Sequence, residues 1–310
     1  MFRRTFGAAV LATLATRTRA QAAAPGAAQA AAPAAPATSA APPVSAVAAG
    51  QWTREAYIAA MQASGRPHEI SAGTFEAIQK RKEGALKQID RYLAQRFGKA
   101  DPAVLKAFGE LPREYYHYHY ADKRPLGGEA YETEAKPWAI GFGSALSDYL
   151  GQAYMTQAAA PKASDVVLEI GTGSGFQSSL LSRIVKSVYS IEIIEPLGKA
   201  VAGVYKPIGI TNVSTRVGDG FFGWPEVEGG FDIIIVTCAA QYVPPALFKQ
   251  LKPGGRLLIP IGQPFKRGQF LFIYTKDAEG KVSSRKDVGV FFIPMTGAMM
   301  KGQAASDAKQ

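Results

Sequence analysis

The fold class follows from residues 168–175, which carry the sequence L-E-I-G-T-G-S-G where an apolar, strand-like run changes to a helical pattern. Glycines at such a turn permit positive φ angles and let the backbone approach a ligand closely. On both sides of this loop, strand and helix patterns alternate along the chain. The strand patterns cover 166–170, 188–192, 212–217, 231–237 and 256–261, and the helical patterns cover 176–185, 196–205 and 245–251.

The strand patterns are near-continuous apolar runs, which is typical of a parallel sheet covered by helices on both faces. Residues 270–275 and 288–293, joined across 277–280, predict an antiparallel pair at the end of the sheet. The sequence therefore predicts an α/β fold, with a doubly wound sheet and a C-terminal antiparallel addition.

Helical patterns precede the sheet. Residues 52–63 and 74–97 have apolar residues at helical spacing, with Ser71 as a cap and Gly98 as a stop, and Asp101 followed by proline opens another helix. We assign 51–135 to a helical N-terminal extension, 136–300 to the domain that contains the sheet, and 301–310 to a flexible tail.

The N-terminus has the order expected of an export signal. Residues 1–24 contain Arg3-Arg4, a short apolar stretch and the A-x-A site Ala20-Gln21-Ala22, and R-R-T-F fits the twin-arginine pattern. The alternatives are an N-terminal tail that is never cleaved and a start codon placed too early. Residues 25–50 are rich in alanine and proline and are assigned to a linker. We expect an exported, periplasmic protein, with a cytoplasmic location as the alternative.

Composition narrows the function classes. The chain has 310 residues, 47% hydrophobic and 19% charged, as in globular proteins, and a single cysteine, Cys238, excludes an internal disulfide framework. The net charge is +10, but four arginines lie in the first fifty residues, which contain no acid, and no long basic run follows. We therefore predict no nucleic-acid partner. No apolar segment is long enough for a membrane helix, so no stable membrane insertion is predicted, and we expect a monomer. His117 and His119 have a spacing that suits metal ligands on a strand, but no third ligand is evident, so no metal is predicted.

The glycine loop itself distinguishes between nucleotides. A dinucleotide-binding loop has the spacing G-x-G-x-x-G, whereas Gly171, Gly173 and Gly175 follow G-x-G-x-G. Glu169, two residues before the first glycine, would repel a pyrophosphate. It suits the ammonium and sulfonium groups of S-adenosylmethionine, directly or through water, so the loop favours this cofactor.

Two further acids follow the next strands. Glu192 ends the second strand, where its carboxylate can accept hydrogen bonds from both hydroxyls of a ribose. Asp219, between Gly218 and Gly220, follows the third strand and can accept from an adenine amino group. Taken singly, each acid could also be a solvated strand end.

Five segments together resemble the protein-L-isoaspartate O-methyltransferases, a family of class I S-adenosylmethionine-dependent methyltransferases. They are 168–176, 212–224 (N-V-S-T-R-V-G-D-G-F-F-G-W), 231–240, 251–262 and 292–297 (F-I-P-M-T-G), and the match reaches back through 101–105 and 112–114. The resemblance implies a Rossmann-like methyltransferase fold, S-adenosylmethionine as methyl donor, and L-isoaspartyl residues of damaged proteins or peptides as substrate.

The resemblance also implies which residues bind the substrate. The active-site serine of the family lies in a segment I-G-x-G-x-x-[IL]-S, which residues 140–147 match, so Ser147 is expected to donate a hydrogen bond to the substrate carboxylate. Ser147 could instead cap the following helix. By the same resemblance Ser144, Pro294 and Thr296 are assigned to substrate binding, and Gly220 joins the cofactor-binding residues.

The chain departs from the family after this serine, where Asp148 stands in Ser147-Asp148-Tyr149 instead of the usual S-x-P. A fixed anion would repel a substrate carboxylate unless it points away or pairs with a cation. Two other functions therefore stay open, a non-catalytic exported binding protein that retains the fold, and a methyltransferase for a different carboxylate.

Overall fold

A computed structural model describes residues 52–263 and 268–301 of the chain. The leader assigned to 1–24, the linker assigned to 25–50 and residues 302–310 of the assigned tail lie outside the described residues. No helix in the described part of the chain is long and apolar enough to cross a membrane.

The strands fall into two short hairpins and one large sheet. They are β1 (Tyr118–His119), β2 (Arg124–Pro125), β3 (Trp138–Gly141), β4 (Ser144–Leu146), β5 (Val166–Ile170), β6 (Ser187–Glu192), β7 (Val213–Val217), β8 (Phe231–Val236), β9 (Leu251–Ile261), β10 (Gln269–Lys276) and β11 (Val282–Val290). The large sheet has the order β11-β10-β9-β8-β5-β6-β7. The strands from β9 to β7 in this order pair in parallel, and β10 and β11 are antiparallel additions. The predicted fold class is confirmed.

Helices cover both faces of this sheet. They are α1 (Arg54–Ala63), α2 (Ala72–Phe97), α3 (Pro102–Glu110), α4 (Arg113–Tyr116), α5 (Tyr149–Ala159), α6 (Phe176–Ser182), α7 (Glu195–Val201) and α8 (Pro245–Gln250), with 3₁₀ turns at Gly127–Glu129, Lys206–Ile208 and Gly220–Phe222. Along β8, Ile233 and Ile235 face the core beneath α5, whereas Ile234 and Val236 face the core beneath α8. Because both faces are buried, the strand is apolar throughout.

The caps of the N-terminal helices lie where the sequence predicts, whereas α1 begins at Arg54 instead of 52 and α2 at Ala72 instead of 74. Ser71 Oγ accepts a hydrogen bond from the N–H of Thr74 (3.1 Å) at the start of α2, and Gly98 has a left-handed φ of 82° at its end. Asp101 caps α3 by accepting from the N–H of Ala103 (2.8 Å). Helices α1 to α3 share a buried core with α5, α6 and α7. The assigned extension and the sheet domain are therefore packed on one core.

The outer antiparallel strand differs from the prediction. β11 covers Val282–Val290 instead of 288–293. The Asp277 carboxylate accepts from the N–H of Lys281 (2.7 Å), so the chain reverses directly after β10. β11 is an exposed edge strand and carries S-S-R-K-D, so it lacks the apolar residues that reveal a buried strand. The apolar residues that follow leave the sheet, and Pro294 forms an isolated bridge to Ala239 after β8.

Candidate active site

A cavity of about 360 Å³ lies at the carboxyl ends of β5, β6 and β8. The strand order reverses between β5 and β8, and ligands of doubly wound sheets bind at such a point. The size is that of a small-molecule site. The wall includes the glycine loop, the ends of β6 and β8, the junction between β4 and α5, and residues 292–296.

The glycine loop is held closely against the end of β8. Gly171 has a φ of 98°, and its N–H donates to the carbonyl of Ile191 (2.9 Å). Thr237 Oγ1 lies 2.6 Å from the Gly171 carbonyl, and a Cβ on Gly171 would lie 2.5 Å from that hydroxyl. A larger residue would therefore be strained and would displace Thr237. Gly171 and Gly173, which are expected to bind the cofactor, both line the cavity.

Glu192 lies on the cavity wall with its carboxylate fixed by backbone groups. Its Oε2 accepts from the N–H of Gly173 (2.9 Å) and its Oε1 from the N–H of Ile194 (3.0 Å). Burial raises the pKa of this carboxyl, and the two backbone donors oppose that rise. A carboxylate has about four acceptor sites, so two remain for a ligand.

Asp219 is held in the same manner. Its Oδ1 accepts from the N–H of Phe221 (2.9 Å) and its Oδ2 from the N–H of Ala298 (2.7 Å). Gly297 has a φ of 73°, and a Cβ there would overlap Oδ2 of Asp219, which explains the glycine of the F-I-P-M-T-G segment. Asp219 and Gly220 both line the cavity.

Glu169 does not lie on the cavity wall, so the expected direct contact with a ligand is corrected. The residue is 0% exposed, and its Oε2 accepts from Ser190 Oγ (2.5 Å). Ser190 Oγ also bonds Thr172 Oγ1 (2.7 Å), and Thr172 lines the cavity. Burial raises the pKa of the Glu169 carboxyl to about 8. Glu169 therefore supports the glycine loop from beneath, through Ser190.

Gly175 also lies outside the cavity lining. It is the N-cap of α6, with a φ of 84°. A Cβ at this position would lie 2.9 Å from the hydroxyl of Tyr205 and 3.0 Å from Val201. This glycine therefore permits the close packing of the helix start against α7 and the turn that follows it.

Ser144 and Ser147 line the cavity on the β4–α5 side. Ser147 is half-buried, and within the described residues its hydroxyl has no hydrogen-bond partner. Its carbonyl accepts from the guanidinium of Arg113 (2.7 Å). The hydroxyl is therefore available to a ligand and does not cap α5.

The helix cap is Asp148. Its Oδ1 accepts from the N–H of Gly151 (2.7 Å) in the first turn of α5. Asp148 is not part of the cavity lining, although Gly151 is. The anion that departs from the family pattern therefore points at the helix start.

Residues 292–296 form another part of the wall, including the predicted Pro294 and Thr296. The segment is fixed against the loop after β8, because the N–H of Ala239 donates to the carbonyl of Ile293 (2.8 Å) and the N–H of Met295 donates to the carbonyl of Ala239 (2.7 Å). Residues 239 and 294 are far apart in sequence and form an isolated bridge, as in a short parallel pair.

Sequence reasoning missed several lining residues, among them Phe142, Gln152 and Thr237. Phe142 is 43% exposed and has a φ of 54°, between two glycines that also have positive φ. The sequence does contain a feature that could have identified Phe142, because a bulky residue between two glycines in a hairpin turn is unusual. Gln152 gave no signal, because a glutamine within a helix is usually exposed.

Cys238 lines the cavity as well. Burial raises the pKa of its thiol to about 12, with Glu192 and Asp219 adding to the rise. The thiol therefore stays protonated at neutral pH and is a poor nucleophile. Among the described residues, no group of three or more His, Cys, Asp or Glu side chains could hold a metal ion.

Comparison with known proteins relates this geometry to a family. The family model described as protein-L-isoaspartate(D-aspartate) O-methyltransferase matches residues 85–300. Protein-L-isoaspartate O-methyltransferase 1 of Nitrosospira multiformis is 50% identical over 161 residues, which cover 52% of this chain and 67% of that protein. Protein-L-isoaspartate O-methyltransferase 2 of Syntrophobacter fumaroxidans is 41% identical over 209 residues, covering 67% and 81% respectively.

Solved structures agree with these sequence matches. A protein-L-isoaspartate O-methyltransferase structure superposes with a TM-score of 0.60 at 27% identity, covering 70% of this chain and 67% of that one. A Plasmodium falciparum protein in complex with S-adenosyl-L-homocysteine has a TM-score of 0.56 at 20% identity, covering 68% and 97%, and shows the same fold. The family match extends over more than half of the chain and includes every predicted site residue, from Ser144 to Thr296. This chain belongs to the protein-L-isoaspartate(D-aspartate) O-methyltransferase family.

Proposed function

We propose that this protein transfers a methyl group from S-adenosylmethionine to the free carboxylate of L-isoaspartyl residues in damaged proteins or peptides, the first step of their repair. The observation that carries the proposal is the cavity wall, where two backbone-held carboxylates and the Ser147 hydroxyl, which has no hydrogen-bond partner among the described residues, surround one space of about 360 Å³. Membership of the family supplies the reaction that this wall fits.

The charges on the wall fit S-adenosylmethionine. Among the described residues that line the cavity, the charged side chains are Glu192 and Asp219, and none is Lys, Arg or His. A pyrophosphate would meet two anions without a cation, whereas a sulfonium and an ammonium would be favoured. Calorimetry with S-adenosylhomocysteine and with NAD tests this assignment, and tight binding of NAD alone would contradict it.

We assign the following roles in cofactor binding to individual residues. Glu192 would accept from the ribose hydroxyls, and Asp219 would accept from the adenine amino group with its free acceptor sites. Gly171, Gly173 and Gly220 would let the ligand approach the backbone closely. Glu169 and Gly175 would act indirectly, by supporting the loop and the helix that carry it. When bound, the cofactor supplies an electrophilic methyl group on its sulfur.

The protein's part of the chemistry is to hold and orient the substrate. An isoaspartyl carboxylate is ionised at neutral pH, so no general base is needed. The Ser147 hydroxyl would donate to this carboxylate, and Ser144, Pro294 and Thr296 would form the rest of the substrate-binding wall. Catalysis would come from positioning and from exclusion of water by the apolar lining.

The geometry of Asp148 removes the main objection to catalysis. Because its carboxylate is bonded to the N–H of Gly151, it does not face the cavity that Ser147 lines. The binding-protein alternative depended on this anion opposing the substrate, and it loses that support.

Methyl transfer from labelled S-adenosylmethionine to an isoaspartyl peptide is the decisive experiment, with the corresponding aspartyl peptide as the matched control. We expect a labelled ester on the isoaspartyl peptide alone. Equal labelling of both peptides would favour a different carboxylate substrate, and labelling of neither would contradict the proposed activity.

We also propose that residues 1–24 direct export to the periplasm, on the pattern of Arg3-Arg4 and Ala20-Gln21-Ala22. Cell fractionation and N-terminal sequencing in the native host test this proposal. A product that starts near Ala23 outside the cytoplasm is expected, and an intact Met1 on a cytoplasmic protein would contradict it. We further propose a monomer, which sedimentation analysis of the purified protein would test.

A further inference from the structure

Arg113 is a buried arginine that holds the main chain at Ser147. Its side chain is buried, with the residue 2% exposed. The guanidinium donates to the carbonyl of Ser147 (2.7 Å), to Oε1 of Gln152 (2.5 Å) and to the carbonyl of Ala130 (3.0 Å). Ser147 and Gln152 both line the cavity, whereas Arg113 itself does not. One rigid side chain therefore fixes two residues of the wall from behind.

Ser147 depends on this contact for its position. It lies between β4 and α5, outside regular secondary structure. Within the described residues the Arg113 bond is the hydrogen bond that its carbonyl accepts, and its hydroxyl has none. The five donors of a guanidinium have a fixed planar arrangement, so they specify the relative positions of their acceptors.

All three acceptors of Arg113 are neutral oxygens. Within the described residues no carboxylate lies at ion-pair distance from it, and Asp148 is the acid whose charge acts on it. Burial lowers the pKa of the Arg113 guanidinium to about 10, which leaves it charged at neutral pH. A buried charge without an ion-pair partner is costly, and the three neutral acceptors supply the hydrogen bonds that offset this cost.

The next residue, Glu114, connects this turn to the N-terminal helices. Its Oε1 accepts from Trp52 Nε1 (2.8 Å) and from Gln79 Nε2 (2.6 Å). Its Oε2 accepts from the hydroxyl of Tyr131 (2.8 Å), which in turn accepts from the N–H of Arg113 (2.8 Å). Trp52 and Gln79 precede residue 85, where the family match begins. The segment outside the match therefore fixes the turn that carries Arg113.

We propose that Arg113 is a positioning residue, which sets the place of Ser147 on the cavity wall and is itself held by Glu114 and the N-terminal helices. The inference rests on the proposed role of Ser147 in binding the substrate carboxylate. A displacement of about 1 Å in a group that positions the substrate can lower the rate by about a hundredfold. Loss of the contacts that hold Ser147 should therefore be measurable in kcat/KM.

Arg113→Lys tests the proposal, because lysine keeps the charge and cannot reach three acceptors with a planar group. Arg66→Lys is the matched control. Arg66 is 3% exposed and donates to the carbonyl of Tyr115 (2.8 Å), and it contacts no residue of the cavity wall through its hydrogen bonds. Both variants lose stability, but we expect only Arg113→Lys to lower kcat/KM for an isoaspartyl peptide, by about tenfold or more. The affinity for S-adenosylhomocysteine should stay within about twofold in both.

The assays are run well below the melting temperature of each variant. Equal kcat/KM losses in the two variants, or a parent-like Arg113→Lys enzyme, would overturn the proposal. If Arg113→Lys does not fold, Tyr131→Phe replaces it, since it removes only the hydroxyl that joins the Arg113 N–H to Glu114. We expect a loss of about threefold in kcat/KM, and unchanged kinetics in folded Tyr131→Phe would overturn the proposal.

Ser147→Ala separates this inference from the proposed function. A Ser147→Ala enzyme as active as the parent contradicts the role of Ser147, on which the inference depends. An impaired Ser147→Ala enzyme together with a parent-like Arg113→Lys enzyme contradicts only the positioning role.

Discussion

The cavity has two walls that differ in how their functional side chains are held. The side proposed to bind the cofactor, the cofactor wall, consists of Gly171, Gly173, Glu192, Asp219 and Gly220, and each of its carboxylates accepts from two backbone N–H groups. The side proposed to bind the substrate, the substrate wall, consists of Ser144, Ser147, Gln152, Pro294 and Thr296. Its Ser147 has an unpaired hydroxyl within the described residues and a carbonyl held by an arginine 34 residues earlier.

The difference predicts which measured property a substitution on each wall alters. Three of the four backbone donors, those of Gly173, Ile194 and Phe221, lie in the turns that follow β5, β6 and β7, so the sheet sets the position of most of the cofactor wall. The substrate wall lies on a hairpin and a strand-to-helix junction, and its geometry depends on contacts between distant parts of the chain. We therefore expect changes on the cofactor wall to alter ligand affinity, and changes on the substrate wall to alter turnover of the peptide.

Glu192→Ala should have the largest effect. It removes the proposed acceptor for the ribose hydroxyls and leaves the N–H groups of Gly173 and Ile194 without their partner. We expect cofactor binding to weaken by about 1–3 kcal/mol, measured by calorimetry with S-adenosylhomocysteine. Glu195→Ala is the matched control, because Glu195 is an exposed acid three residues later that pairs with Lys199. An affinity within twofold of the parent would remove Glu192 from the cofactor wall.

Ser147→Ala tests the other wall. If the hydroxyl donates to the substrate carboxylate, kcat/KM for an isoaspartyl peptide should fall by about ten- to a hundredfold, or about 1.4–2.7 kcal/mol. The affinity for S-adenosylhomocysteine should stay unchanged, which separates the two walls. Ser182→Ala is a control of the same chemistry, since Ser182 Oγ bonds the carbonyl of Ser179 away from the cavity. A fall in cofactor affinity as large as the fall in kcat/KM would contradict the division into two walls.

The cofactor wall could be predicted from the sequence because its signals are local. The glycine loop follows an apolar strand, Glu192 ends β6 and Asp219 follows β7, so spacing alone places them at one edge of the sheet. The burial of Glu169 could not be predicted, because adjacent residues of a strand point to opposite faces and the sequence does not say which face the ligand occupies.

The supports of the substrate wall could not be predicted for a different reason. Pairing between Arg113 and Ser147 is a tertiary contact, and no periodicity within either segment specifies it. The outer strand β11 was misplaced because an exposed edge strand with S-S-R-K-D has no apolar alternation. The cap of α5 was expected at Ser147, as the alternative to its substrate role, and the structure places the cap one residue later, at Asp148; serine and aspartate both cap helices, so the sequence alone does not distinguish them.

Glu169→Gln tests whether the buried carboxyl beneath the cofactor wall takes up a proton when the protein folds. Burial raises the pKa of this carboxyl from 4.5 to about 8, so between these values the folded state binds more protons than the unfolded state. Stability contributed by this group is therefore lost as the pH rises through that window. As the pH rises from 5 to 9, the free energy of unfolding of Glu169→Gln should increase relative to that of the parent, on the order of 1 kcal/mol. Urea unfolding measures this difference. Parallel pH profiles for variant and parent would contradict the buried titration, and Glu195→Gln serves as the exposed control.

Asp148→Asn should have the smallest effect, and it tests the position where the chain departs from its family. Asn caps helices about as well as Asp, so only the interaction of the charge with the start of α5 and with Arg113 is lost. We expect stability to fall by about 0.3–1 kcal/mol. Because the carboxylate is bonded to the N–H of Gly151 and does not line the cavity, kcat/KM should stay within about twofold of the parent at both low and high salt.

A carboxylate that faced the substrate would act differently, since its removal would raise kcat/KM, and more so at low ionic strength, where charges are less screened. Kinetics at about 20 mM and 300 mM salt therefore decide between the two placements, and a salt-dependent gain in rate would place Asp148 on the substrate wall beside Ser147.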